Sequence, residues 1–201
     1  FISMIISLGT VTSSLLSDRI ISRLGTGKVT VISGMLTALA ILGFASAPNF
    51  WVLCICSIPY GLGAGSVDVA LNNYVALHFK STHMNWLHCS WGIGATIGPY
   101  IMGMALSSGS NWQGGYWYVA WVQLAITAVL FLSLPLWKHH ERAEITTNSE
   151  GSPGSNAPAR PQPLKLSQVV RIKGVKEMMT CFFCYSVLEQ TAALWAGTYL
   201  R

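Results

Sequence analysis

Apolar residues along this chain gather in runs much longer than the three- and four-residue spacing of a helix lying on a soluble core. Six such runs occupy residues 1–17, 29–46, 50–78, 86–108, 115–137 and 177–201. Each is close to the roughly 20 apolar residues that carry a helix across about 30 Å of hydrocarbon. Among the first five, polar residues cluster only at 18–28, 47–49, 79–85 and 107–115. That punctuation predicts helical hairpins, because backbone groups in hydrocarbon must find their hydrogen-bond partners inside their own helix. The short alternating strands of a membrane barrel do not fit runs so long and continuous. An all-α membrane protein with six transmembrane helices is the expected fold class.

From Lys138 the composition changes to Pro, Ser, Asn, Glu and Ala, with Pro153, Pro158, Pro161 and Pro163 close together. Such a segment builds no core, and it predicts a flexible cytoplasmic linker over 138–172. Residues 166–176 are basic and amphipathic, which suits the membrane face. The expected organisation is a helical bundle over 1–137, the linker, and the start of a second bundle over 173–201.

Composition sharpens this reading. Of 201 residues, 52% are apolar and 9% charged, and the mean hydropathy is +0.48. So few charges cannot cover a water-soluble globule, which argues against soluble enzymes, nucleic-acid binders and secreted disulfide scaffolds. The net charge of +5 has a membrane explanation. With the first hairpin cytoplasmic, Arg19, Arg23, Lys28, Lys80, Lys138, Arg142, Arg160, Lys165, Arg171, Lys173 and Lys176 all fall on that side. Eleven of the twelve basic residues therefore obey the positive-inside rule. Trp51, Trp112 and Trp117 sit near the opposite boundary, and Trp86 and Trp137 near the cytoplasmic one, as an aromatic belt requires. The lipid bilayer is the expected partner, and nucleic acid is not. Phe1 opens the chain without a charged region ahead of it, and Leu200-Arg201 closes it inside an apolar run, so a piece of a longer protein is expected.

Ionisable groups inside apolar sequence are the candidate chemistry, because a charge at the bilayer centre costs at least about 2.5–3.5 kcal/mol and faces a cavity, a partner or a proton path. Asp68 and Glu189 are such groups; the alternative for each is a neutral carboxyl hydrogen-bonded within the bundle. Gly61, Gly65, Asp68 and Asn72 are spaced by four, three and four, so they share one helix face. This stripe reads as a cavity wall, or as a small-residue packing seam that leaves Asp68 unexplained. His88, Trp91, Gly92, Ala95 and Pro99 repeat the spacing on the next helix. Trp91 can stack on a sugar ring or fill the core, and His88 can relay a proton or simply satisfy the bundle. Gly94, Gly98 and Pro99 bend that helix or let it pack tightly. Cys181-x-x-Cys184 and Cys54-x-Cys56 have thiol-motif spacing but no nearby His or acidic ligands, and packing is the favoured reading. No phosphate-binding glycine motif, catalytic triad order or paired-His spacing occurs, so no enzyme, metal or organic cofactor is expected.

The stretch SLLSDRIISRLGTGK resembles the cytoplasmic signature between helices two and three of the major facilitator superfamily, with Ser14 in place of the usual Gly and Asp18, Arg19, Arg23 and Lys28 matching in character. The resemblance implies a conformational latch formed by Asp18, Arg19 and Arg23. GLGAGSVDVALNNYV and MNWLHCSWGIGATIGP are similar to helices four and five of the fucose-permease-like sugar:proton symporter branch, and CFFCYSVLEQTAALWAGTYL resembles helix seven. The likeness runs from within helix two to helix seven. It implies proton coupling at Asp68 and Glu189, and substrate contacts from Asn72, Asn73, His88, Trp91, Gln190 and Trp195.

The function so implied is proton-coupled uptake of a sugar or similar small polar solute by alternating access, in a multi-pass protein of the bacterial inner or plasma membrane that is monomeric when full length. The proton is the coupling ion. Competing readings are an efflux transporter of drugs or metabolites from the same superfamily, a membrane thiol oxidoreductase using Cys181 and Cys184, and a non-transporting sensor.

Overall fold

A computed structural model describes the backbone of residues 1–109, 111–149 and 172–199, with side chains except at 18, 136–149, 193, 194 and 196–199. The order is α1 (Ile2–Leu24), α2 (Thr26–Ala45), α3 (Phe50–His78), α4 (Ser81–Ser107), α5 (Trp112–Ser149) and α6 (Val175–Tyr199). Every described element is helical, as the long apolar runs predict. The chain divides into two units, Phe1–Glu150 and Gly151–Arg201. The first contains α1 to α5; α6 is the described helix of the second.

Polar punctuation overstates the turns. The stretch 18–28, expected as a loop, is helical on both sides of a single residue, Gly25. Nothing between Asp18 and Leu24 breaks a helix, and polar side chains are tolerated once a helix has run past its apolar length. Gly25 does break it, at φ 81, and its N–H bonds the Ile21 carbonyl at 2.9 Å. The expected turn at 79–85 likewise shrinks to Phe79 and Lys80, because Ser81 already opens α4. The helix α5 continues beyond Lys138 to Ser149, since no Gly or Pro occurs between Lys138 and Gly151. The remainder of the expected linker, 150–171, lies outside the described residues.

Three helices are long and apolar enough to cross a membrane by length and composition: Thr26–Ala45, Phe50–His78 and Trp112–Pro135. In α1 the apolar part is the shorter Ile2–Ser17. The helices α4 and α6 have the length, with 27 and 25 residues, but His, Ser, Thr and Asn dilute the first and Lys176, Glu177 and Glu189 the second.

Small residues govern the first unit. Its buried apolar positions are mostly alanines, among them Ala38, Ala40, Ala45, Ala70, Ala105 and Ala120. Helices without a hydrophobic force between them associate through close backbone approach and interhelical hydrogen bonds, and this composition permits both. The helix α3 is held from two sides. A methyl group at Gly61 would strike the Ile6 carbonyl oxygen of α1, and one at Gly65 would lie 2.6 Å from the Thr10 carbonyl oxygen. Gly63, two residues from each and so turned to the other flank, would meet the Ser33 carbonyl oxygen of α2 at 2.8 Å. Hydroxyls bind the α1 side: Thr10 Oγ1 donates to the Gly61 carbonyl at 3.3 Å, Ser13 Oγ to the Leu62 carbonyl at 2.6 Å, and the Ser13 and Ser66 hydroxyls bond each other.

On its other side α2 packs against α5 in antiparallel register. Gln123 Nε2 donates to Thr37 Oγ1 at 3.0 Å, and Gln113 Nε2 donates to the Ala47 carbonyl at 3.1 Å. Phe44 joins three helices at this end, with ring centroids 5.7 Å from Tyr60 and 5.6 Å from Tyr116. The helix α4 attaches to α5 near Ala105 and Met102, where a Cβ at Gly115 would collide with the Met102 sulfur.

This geometry makes Gly65→Val an overpacking change costing about 1–3 kcal/mol. Gly94 has open space around it, so Gly94→Ala gains helix propensity without a clash. Thermal unfolding of the detergent-solubilised protein is expected to show a clearly lower Tm for Gly65→Val and an equal or higher Tm for Gly94→Ala; equal Tm values for the two variants would contradict the seam.

Candidate functional site

The stripe that the spacing places on one face of α3 divides in space. Gly61 and Gly65 are buried in the seam with α1, so for them the packing reading holds. Ser66 is buried against Ser13. Asp68 lies two residues further on, about 200° around the helix at 3.6 residues per turn, and is exposed. Asn72 follows one turn later and is half-buried. Its Nδ2 donates to Asp68 Oδ1 at 2.9 Å. Among the described residues, the Asn72 Oδ1 is buried and accepts no hydrogen bond. The pair thus offers a carboxylate held in orientation by an amide, and an amide oxygen with acceptor capacity left over. Asn73, the next residue, is exposed, and its position five residues after Asp68 puts it about 140° around the helix from that carboxylate.

On α4, His88 and Trp91 are exposed, Trp91 at 62%, and no hydrogen bond or ring contact among the described residues joins either to Asp68 or Asn72. Among the described residues, no heavy atom beyond the adjoining residues and the helix's own backbone lies within 4 Å of a Cβ built at Gly92, Gly94 or Gly98. The expectation of tight packing at Gly94 and Gly98 therefore finds no partner helix in the described structure. Ser90 and Thr96 hydroxyls return to the Trp86 and Gly92 carbonyls, which satisfies them within their own helix.

In the second unit Glu189 is half-buried, and the Tyr185 hydroxyl one turn earlier is within its hydrogen-bonding reach. Gln190 and Trp195 are exposed on α6. Asp68 and Glu189 therefore each have a polar companion four residues away along the same helix. At the end of α1, Arg19 and Arg23 are exposed, and Arg23 stands in the last turn, where a cation complements the helix dipole. The Asp18 side chain lies outside the described residues. Among the described residues no group of His, Cys, Asp and Glu is assembled that could hold a metal. Cys54 and Cys56 are half-buried free thiols, whereas Cys181 and Cys184, expected to pack, are exposed on α6.

A family model described as Major Facilitator Superfamily matches residues 1–201. The chain belongs to the Major Facilitator Superfamily. Membership assigns transport as the general function and a membrane as the setting, and the all-helical architecture is a part of the superfamily's fold. No curated protein and no solved structure matches the chain.

Three features that position this site carry no obvious signal in the sequence. Gly63 sits between two glycines that satisfy the four-residue motif, and only the second neighbour, α2, gives it a role. Ser13 and Ser66 are ordinary serines until α1 and α3 cross. Tyr185 becomes relevant only through Glu189, although the four-residue spacing was available to read.

The two flanks of α3 differ in accessibility, and thiol labelling reads that difference. In a full-length background with the native cysteines replaced, Asp68→Cys is expected to react with a membrane-impermeant maleimide, and Ser66→Cys to remain protected. Equal labelling at both positions would contradict the placement of Asp68 outside the seam.

Proposed function

We propose that this protein takes up a sugar or a similar small polar solute together with a proton, by alternating access, with Asp68 as the principal proton-carrying group. It does so as a monomer spanning the cell membrane several times, with the Gly25 end of α1 and α2 facing the cytoplasm. The single observation that carries the reading is the Asp68–Asn72 pair: an exposed carboxylate on an apolar helix, oriented by one amide hydrogen bond and beside a buried acceptor oxygen that has no donor among the described residues. The likeness of GLGAGSVDVALNNYV to the sugar:proton symporter branch supports the same choice.

The chemistry follows from the cost of charge. An ionised carboxylate tolerates a water-filled cavity, but closing the protein around it forfeits hydration worth several kcal/mol. Protonation removes that charge, while the carbonyl oxygen of the acid still accepts from Asn72 Nδ2. The neutral site can then occlude, and its acid O–H becomes a donor for a substrate oxygen. The free Asn72 Oδ1 accepts from a substrate hydroxyl, so a molecule with several hydroxyls answers both groups at once. A proton and such a solute favour the same occluded state, which is the differential binding that coupling requires. Trp91 and His88 on α4 supply aromatic and polar contacts for the solute; within the second unit, taken by itself, Gln190 and Trp195 on α6 are the candidate substrate contacts. Glu189 is the second proton-carrying candidate, and Asp18, Arg19 and Arg23 serve as the latch.

Uptake into proteoliposomes from a panel of sugars and lipophilic cations, with and without an imposed pH gradient, tests the reading on the full-length protein. Uphill accumulation of a hydroxyl-rich solute is expected for the unaltered protein and is lost in Asp68→Asn, which retains exchange of that solute. Unchanged pH-driven accumulation in Asp68→Asn would remove the coupling role. Transport that follows lipophilicity and charge instead of hydroxyl pattern would replace the sugar reading by efflux of drug-like compounds.

A further inference from the structure

The paired helices α2 and α5 leave an apolar groove of about 560 Å³, lined by Val31, Ile32 and Met35 from α2 and by Thr127, Ala128 and Phe131 from α5. It opens outward, with Ile32 56% and Phe131 62% exposed, and the only hydroxyl in its lining is already bonded to the Gln123 carbonyl at 2.8 Å. A polar solute finds nothing to bind there. The antiparallel register fixes where the groove lies. The Thr37–Gln123 hydrogen bond is at its inner limit, so the groove runs from there toward the first turns of α2 and the later turns of α5. That is the basic end of the pair. Lys28 precedes Val31 and Ile32 by three and four residues, so it continues the same face of α2, and it is exposed. Lys138 follows on α5 at the same end by its position along the helix backbone.

We propose that this groove holds one acyl chain of an anionic phospholipid, whose headgroup is bound at Lys28. The occupant is set by the two ends taken together. An unbranched hydrocarbon chain fits a cleft without polar demand, and a phosphate answers an ammonium at the depth where the headgroups lie. A second protein helix is a poorer match, because it would bring its own backbone against exposed Ile32 and Phe131 without a partner for Lys28. The assignment goes beyond transport: it concerns a lipid site on the outer flank of the first unit, away from the Asp68 face of α3. It rests on membrane embedding and not on the identity of the solute.

Native mass spectrometry of the full-length protein, exchanged into detergent micelles containing phosphatidylglycerol or phosphatidylcholine of identical chains, tests the site directly. Phosphatidylglycerol is expected to be retained on the order of fivefold more strongly, the factor that one basic residue near the surface supplies. Lys28→Gln, an exposed change that leaves the packing intact, should remove that preference without abolishing retention. Ala128→Trp, which fills the groove, should abolish retention of both lipids, with an unchanged Tm showing that the fold persists. Equal retention of the two lipids by the unaltered protein, or undiminished phosphatidylglycerol binding in Ala128→Trp, would overturn the proposal whatever the transport assays show.

Discussion

Backbone closeness is the constraint on which this molecule depends. In hydrocarbon, side chains gain nothing by leaving lipid for one another, so helices stay together only where their backbones approach and their polar groups pair across the gap. Gly61 and Gly65 bring α3 against α1, and Gly63 brings the opposite flank against α2. Into the first contact project Thr10 and Ser13, whose hydroxyls reach carbonyls of α3. The second contact passes on to α5 through Thr37 and Gln123. With two flanks committed, the rotation of α3 about its own axis is fixed, and so is the direction in which Asp68 points.

That fixed rotation is why the site has the form it has. Asp68 stands about 200° around the helix from the buried Ser66 and, one turn beyond Gly65, is exposed, and Asn72 stays beside it because a four-residue step returns nearly to the same face. A charged group placed in this way costs stability unless water, a proton or a ligand meets it. In the proposed proton-coupled cycle that cost becomes useful, since the group that resists burial when charged accepts it when neutral. The same logic separates the flank of α2 and α5, whose apolar lining makes no polar demand and suits the lipid chain proposed for it.

The long apolar runs made six helices legible, and the run 50–78 coincides with α3 as observed. The turns were less legible, because a polar residue marks the edge of hydrocarbon and not the end of a helix: Asp18, Arg19 and Arg23 continue α1, and only Gly25 with its positive φ stops it. Similarly, residues 138–149 read as linker by composition but contain no breaker. The Asp68 and Asn72 pairing could be read from spacing, whereas the split between packing glycines and an outward carboxylate could not, because both belong to one stripe until the neighbours are known. On α4 the stripe of His88, Trp91 and Gly92 has the right period, and in the described structure His88 and Trp91 are exposed and the space beside Gly92 is open.

If α1 and α3 form one rigid pair, their contact must persist through every state of the transport cycle. Disulfide cross-linking of a Ser13→Cys, Ser66→Cys double variant in a background lacking the native cysteines measures this most directly, since the two hydroxyls touch. Rapid and complete cross-linking is predicted with or without solute and at both high and low pH. Absence of the cross-link, or a yield that changes with solute or pH, would show that the two helices do not move together and that the orientation of Asp68 is not set by the seam.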